Sequence, residues 1–566
     1  MSKKLLTIWF LFWGLLRIAL SQSVYVPLNH WSYDFVERLE AKGWITGVLN
    51  STKPFSREEM AGYLIQIEKR MTAGFTLNAT ETEQLEFLRF EFKEEHQRLT
   101  GKNGHVYLTK LQKIKESHTL GKLFPGFIYK NNRNLFSVGE SGMSFYVDPV
   151  FSQRWLHAGA DSINGIERVF ERTHGARIWG QLGTHVGFFL DVRDTKEWGT
   201  RTYPERFDIS LPGLGFVNGY GDHIWHDETV AYLVFKLPYF QLQIGKDSNV
   251  WGPGRNGALS LSDNATSYDQ IKLQSKIWRL KFTYLWGFLR TFPVLLDADN
   301  TARPKSIVAH RLDINVAKWL DVGIYETVIF SGRRFEMAYL NPINFYRSAE
   351  HFLGDNDNAT LGFDFEFLLI PNSKIYGELF IDDLTTTRLG SGWFGNKTAY
   401  TVGGLWVDAF KVSNLDARLE YTRTRPFVYT HVNTINTYSH FSTGLGHWIG
   451  PNADVLNLRM QVRFSKSFFV AVDVETFRHG ANQPNRNVGG DFNQPWQEGD
   501  EKYIAALDGD LERRTRFGLQ LSYELFRNFY FDLSAKSVSS KNVKLPDSSR
   551  GPVSRRQVLF GLSLNR

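Results

Sequence analysis

No cysteine occurs among the 566 residues. That absence excludes disulfides, thiolate metal sites, cysteine nucleophiles and a lipid-modified cysteine anchor in one step, and it suits a bacterial secreted protein that folds without disulfides. Long apolar runs are missing as well. Beyond the first 21 residues no stretch reaches about 18 apolar positions, so nothing else in the chain spans a bilayer as a helix. There is no G-x-S-x-G elbow, no H-E-x-x-H pair and no Walker loop, and neither enzyme activity nor a cofactor is expected. Nor does one sign of charge dominate. The formal charge is +7, falling to about +4 if Lys3, Lys4 and Arg17 leave with a leader. Such a balance is compatible with anionic polysaccharide or lipopolysaccharide nearby and offers no argument for nucleic acid.

What the chain has in quantity is aromatics: 45 Phe, 23 Tyr and 16 Trp, 15% of the residues. Yet its mean hydropathy is −0.30. A helical membrane protein cannot combine the two, whereas a transmembrane β-barrel does, because lipid-facing and water-facing residues alternate along each strand. The start, MSKKLLTIWFLFWGLLRIALSQS, reads as a secretory leader over residues 1–21, with Lys3 and Lys4 before an apolar run and a small-x-small cut after Ser21. A retained anchor is the alternative, weakened by Arg17.

Residues 22–75 differ in kind from the rest. HWSYDFVERLEAKGWITG places Trp31, Phe35, Val36 and Leu39 at helical spacing. SREEMAGYLIQIEKRM then opens on Ser56 as N-cap, with Glu59 as its capping-box partner. The pattern HW…Y…ERL…GWITG…PFSREEMA resembles a single S-layer homology motif. That resemblance implies contact with peptidoglycan or another periplasmic glycan, with Trp31, Arg57 and Glu58 as candidate contacts; the alternative is a structural plug or periplasmic cap. Residues 76–140 read as a helix and linker of the same plug or cap. One charged helix is expected from about Thr80 to Leu99, turning Leu85, Leu88 and Phe92 to the same small core.

From residue 141 to 566 the period becomes 2. WRLKFTYLW sets Trp278, Leu280, Phe282, Tyr284 and Trp286 against Arg279, Lys281 and Thr283. LNLRMQVRF sets Leu456, Leu458 and Met460 against Asn457, Arg459 and Arg463. This is the alternation of a barrel with a wet, charged lumen and an apolar outside. Tight connections at KLPY, AKWLD, IPNSK, AFKVSN, FSKS and ELFRN alternate with long polar segments. Strands elsewhere, near 143–151, 176–193, 271–286 and 557–564, complete the expectation: an all-β antiparallel transmembrane barrel of about 16–18 strands with a small N-terminal α-helical plug or periplasmic segment.

Chemistry is sought on the long loops. Asp355 to Asn358 offers oxygen ligands at alternate positions but lacks the glycine and closing glutamate of an EF-hand, so a polar turn is the simpler reading and no metal is expected. Asp382 and Asp383 adjoin on a strand and so point to opposite faces, which excludes an acid dyad unless the strand ends there. GKDSNVWGPGRNGALSLSDNATSYD and NPINFYRSAEHFLGDNDN combine aromatics with Arg, Asp and Asn, the groups that stack on sugar rings and pair with their hydroxyls and carboxylates. Trp251, Arg255, Asp263, Asn264, Tyr346, Arg347, Glu350, Asp355, Asp357, Asn358 and His447 are the candidate polysaccharide contacts. The stretch at 341–358 should lie outside the cell or fold into the upper lumen.

These same elements, NVWGPGRNGALSLSDNATSYD, YLNPINFYRSAEHFLGDNDNATLGFDFEF, IYGELFIDD and YSHFSTGLGHWIGPNAD, in this order, resemble the capsule-assembly Wzi family. The resemblance implies an outer-membrane barrel of about 18 strands with a helical periplasmic plug, and a lectin-like, non-enzymatic role in retaining capsular or extracellular polysaccharide. The partners expected are that polysaccharide, outer-membrane lipid and lipopolysaccharide, and peptidoglycan for the N-terminal segment, with the protein a monomer. One departure is Arg566, where such barrels commonly end on an aromatic. Two other readings stay open: a porin-like channel for small polar solutes, and a hydrolase or acyltransferase with its nucleophile and base on the barrel wall.

Overall fold

The structure, a computed structural model, describes residues 23–101, 133–140, 143–159, 165–183, 185–200, 213–291, 302–545 and 548–566. The expected leader and part of the 76–140 linker lie outside them. Eighteen antiparallel strands close into one barrel. The wall begins with β1 (Met143–Ala158), β2 (Glu167–Leu182), β3 (Val186–Gly199), β4 (His223–Lys236), β5 (Gln241–Asp247) and β6 (Tyr268–Ile277). It continues through β7 (Leu280–Leu289), β8 (Lys305–Ala317), β9 (Leu320–Ser331), β10 (Asn358–Phe367), β11 (Ser373–Asp383) and β12 (Lys397–Trp406). It ends with β13 (Leu415–Thr424), β14 (Ala453–Ser465), β15 (Phe468–Ala481), β16 (Asp510–Phe526), β17 (Phe529–Lys544) and β18 (Arg550–Leu564). Closure comes where β18 pairs with β1, from Gln557 opposite Ala158 to Leu564 opposite Phe151. Arg566 follows, its guanidinium 2.6 Å from Asp532 and over the ring of Tyr530.

The six tight connections all join neighbouring strands at one end of the barrel, and the long segments lie at the other. Alternation holds as expected on β14 to β16. Leu456, Leu458, Phe517 and Leu519 are exposed outward, while Asn457 and Glu475 are buried inward. Two expectations fail locally. Trp278 is not a strand residue; it sits with positive φ in the two-residue turn between β6 and β7, fully outside, with Arg279 over its ring. And the lumen is not wet throughout. Beside β6 to β13 it is filled by an apolar core including Leu285, Leu289, Ile307, Ile329, Phe380, Tyr429 and Tyr438. Loops occupy that half, so both faces of those strands are covered and LWGFL or TVIF runs apolar without alternation.

Among the described residues, four helices close the short-turn end: α1 (Ser32–Ala41), α2 (Arg57–Thr72), α3 (Ala79–Glu91) and α4 (Lys93–Thr100). Ser56 with Glu59 and Asn78 with Glu81 form capping boxes at α2 and α3. Phe35, Val36, Leu39, Leu64, Ile67, Leu85, Leu88 and Phe92 share one core. The single helix expected to Leu99 breaks at Phe92. There Arg57 donates to the carbonyl of Glu91 and Arg133 to that of Phe90 at 3.3 Å, drawing both oxygens out of the helical ladder.

Charge pairs tie these helices to the wall. Glu37 lies 2.5 Å from Lys374 and 2.6 Å from Arg418, Arg38 meets Asp408 and Asp416, Glu58 lies 2.6 Å from Lys236, and Glu91 meets Arg527. Thr52 donates to Asp313 at 2.6 Å and accepts from the buried Arg311 at the same distance. Burial alone would raise the Glu59 carboxyl, but Lys281 and Lys276, at 3.4 and 3.5 Å, outweigh it and hold it at about 2 rather than 4.5.

A carboxyl held low in the fold contributes stability above about pH 4.5, and this is lost as the pH falls toward about 2. Acid is therefore expected to loosen α2 across that window, read as faster hydrogen exchange over residues 57–72, and Glu59→Gln should flatten the response. Lys374→Ala, which leaves the buried carboxylate of Glu366 without its ammonium partner, should cost about 3–5 kcal/mol. The measurement is a lower urea midpoint for release of the helices.

Candidate functional site

Above the helices the lumen is shaped by two loops that descend into it. Residues 248–267, between β5 and β6, reach the helical end, where Val250 and Trp251 pair with Lys53 and Thr52. Two wall carboxylates hold this loop by its backbone. Glu420 accepts from the amides of Arg255 and Asn256 at 2.8 and 2.9 Å, and Glu378 accepts from that of Leu259 at 3.0 Å. Glycine is required at two of its positions. Gly252 and Gly257 have φ of +133° and +142°, and a Cβ there would lie 2.5 Å from Glu378 and 2.8 Å from His447.

Residues 425–452, between β13 and β14, dock onto the first loop. Tyr429 donates its hydroxyl to the carbonyl of Leu259 at 2.8 Å, Trp448 its indole N–H to that of Asn256 at 2.7 Å, and Ser262 its hydroxyl to that of Gly446 at 2.6 Å. WGPGRNG and GLGHWIGPN, separated by almost 200 residues, thus form one structural unit. His447 is sealed inside it, and burial pushes its imidazole down to about 3, so it is neutral.

Beside this unit a cavity of about 390 Å³ remains open in the other half of the lumen. Its lining includes Arg255 and Asn256 from the loop and Arg418, Glu420, Asn457, Arg459, Asp473, Arg516, Gln520 and Lys536 from the wall. Five cationic side chains face two carboxylates there. Each described guanidinium is positioned by an acid at its flank: Arg255 by Asp34 at 3.3 Å, Arg418 by Glu37 at 2.6 Å, Arg459 by Asp473 at 2.8 Å and Arg516 by Glu475 at 2.9 Å. Asp34 and Glu37 belong to α1, so the helices position two of these arginines. Arginine forks held in this way present planar donors to carboxylates and paired hydroxyls.

The residues singled out in the sequence scatter. Arg255 lines the cavity. Asp263 is exposed on the loop, and Asn264 donates to the carbonyl of Gly444 at 2.9 Å. Trp251 lies fully buried in the lumenal core, and its ring meets no solvent. Asp357 accepts from Arg333 and, at 2.7 Å, from Tyr339, while Asn358 opens β10 and donates to the carbonyl of Asn436.

Tyr346 is buried too, and Glu350 is buried under Arg347 at 2.7 Å. The 341–358 stretch is not folded into the upper lumen. It packs on the outward face of β7 to β10. Glu350, His351 and Asp355 bring ligand atoms within 4.8 Å of one another, with Arg347 paired to both carboxylates. Asp382 turns inward to accept from the amide of Tyr429 at 2.7 Å, and Asp383, past a register shift that interrupts the alternation, lies 3.1 Å from Lys397. In the helices Trp31 packs between Phe35 and Phe87, Arg57 is buried against Glu91 and Glu95, and Glu58 holds Lys236. All three are occupied by packing within the plug or against the wall.

Arg418, Arg459 and Arg516 escaped selection in the sequence. Period 2 placed Arg459 inward, but the convergence of these arginines on Arg255 depends on strand register and on a loop entering the lumen.

Solved structures of similar architecture include Wzi, an outer-membrane, carbohydrate-binding β-barrel involved in group 1 capsule assembly in Escherichia coli. It is 14% identical with a TM-score of 0.54, over 95% of this chain and 99% of that one. OccAB2 of Acinetobacter baumannii is 12% identical with a TM-score of 0.43, over 74% of this chain and 97% of that one. The outer membrane protein OprD of Pseudomonas aeruginosa is 10% identical with a TM-score of 0.39, over 75% and 94%. No curated protein matches the sequence. Residues 209–551, more than half of the sequence, match the capsule assembly protein Wzi family, and the chain belongs to that family.

Proposed function

We propose that this protein sits in the bacterial outer membrane as a monomer, helices toward the periplasm, and holds capsular or extracellular polysaccharide at the cell surface by binding alone. The observation that carries the reading is the cavity beside the docked loops, where preset arginines outnumber carboxylates. Such a surface suits an acidic polymer, because each uronic carboxylate can take a bidentate guanidinium. Family membership supports a role in capsule assembly, and the carbohydrate binding recorded for the E. coli structure of like fold points the same way. The aromatic rings of the selected loop stretches are mostly buried, so recognition rests on charge and hydrogen bonding more than on stacking. A porin-like channel is disfavoured because the helices fill the short-turn end and exchange ion pairs with the wall.

Loss of the protein should leave polymer secreted into the medium but no longer attached to cells; unchanged attachment would sink the proposal. Arg459→Ala combined with Arg516→Ala should weaken binding of purified acidic polysaccharide roughly tenfold or more, since each charge-assisted contact is worth about 1.5–3 kcal/mol. Protein inserted in a planar bilayer should show no steady conductance. Large stable channels would favour the porin instead.

A further inference from the structure

Residues 332–357 leave β9 and fold back down the outside of the wall before β10 begins. Tyr339, Tyr346 and Ala349 pack on outward-facing Tyr284, Trp286, Val308, Val328 and Phe330. Beneath Tyr346 lies a pair of polar wall groups, His310 Nε2 and Glu326 Oε2, 2.9 Å apart. The Tyr346 ring stacks on His310 at 4.3 Å, and its amide donates to Glu326 at 3.1 Å. A hydrogen-bonded acid facing hydrocarbon is costly, and this segment roofs it.

The other side of the segment is uncovered and concentrates apolar side chains among the exposed Asn341, Ser348 and His351. Ile343 is 87% and Phe352 90% exposed, and Met337, Phe345 and Phe335 are exposed beside them. Register connects this patch to the rest of the wall. Trp286, under the segment, pairs with Ile271, Ile271 with Ile244, and Ile244 with Leu233. Those last three are outward, exposed apolar residues of the barrel's own belt. The segment is thus continuous sideways with the surface that faces lipid, and Arg334 and Arg347 stand at its accessible edge.

We propose that residues 335–353 form a lipid-embedded flap: their exposed apolar side chains lie among acyl chains of the outer leaflet, and Arg334 and Arg347 meet the headgroup level. Aromatic and basic residues at that boundary are the pattern of membrane interfaces, and an exposed apolar patch this concentrated marks a contact surface. The inference rests on the outer-membrane reading above but not on polysaccharide binding.

The chain lacks cysteine, so single thiols can be placed at will. Ile343→Cys and Phe352→Cys, each labelled with an environment-sensitive fluorophore, are reconstituted as full-length protein in vesicles of phosphatidylcholine brominated on its acyl chains. Asp263→Cys serves as a loop site and Leu519→Cys as a site on the barrel belt. Labels at 343 and 352 should be quenched by brominated lipid severalfold more than by aqueous iodide, matching 519 and opposite to 263. Iodide quenching equal to that at 263 would overturn the flap, as would protection from both quenchers, the sign of a second copy or a protein partner. If site 519 also escapes brominated lipid, the outer-membrane reading falls with it.

Discussion

Charge removed from water needs a partner, and the interior of this barrel is organised around that requirement. Eighteen strands enclose a space too wide for wall side chains alone to fill. At the short-turn end the wall carries Lys374 and Arg418 into full or nearly full burial. Their counter-charge, Glu37, arrives on α1. The helices close the barrel because they complete its electrostatics, and their own apolar core needs no wall residue at all.

The same requirement, met differently, shapes the middle of the lumen. Glu378 and Glu420 also point into a buried interior, and each takes backbone amides of the 248–267 loop. Anchoring a loop by its backbone brings it hard against the wall. That close approach demands Gly252 and Gly257 and leaves Trp251 and His447 as filling. The lumen is divided as a result. One half is a dry core of loop and wall, and the other retains water-facing arginines. The open cavity lies in the second half because the first is packed.

Outside, the polar pair His310 and Glu326 needs cover from hydrocarbon, and the 332–357 connection supplies it. Plug, lumenal loop and outer flap are thus three answers to one difficulty, each placing a partner against a group that the wall cannot leave bare. Helices at one end and loops through half of the lumen are the features on which the proposed holding of a polymer rests.

Much of this was legible in the sequence because it depends on short-range periodicity. Strand alternation, the tight turns and the capping box at Ser56 and Glu59 are properties of a few consecutive residues, so the barrel with its helical segment could be read directly. The helix break at Phe92 was not, because Arg57 and Arg133 that cause it lie far away in the chain. Nor was the burial of Trp251, Tyr346 and His447: aromatics amid polar loop residues look the same whether they meet a sugar, a lumenal core or the outer wall. The cavity of Arg255, Arg418, Arg459 and Arg516 was hidden for a similar reason. The sequence by itself determined which face of each strand is polar and that the chain closes as a membrane barrel, since those follow from local alternation. Only the tertiary structure decided where each long loop goes and which charges meet, since those contacts form across the lumen between residues hundreds of positions apart.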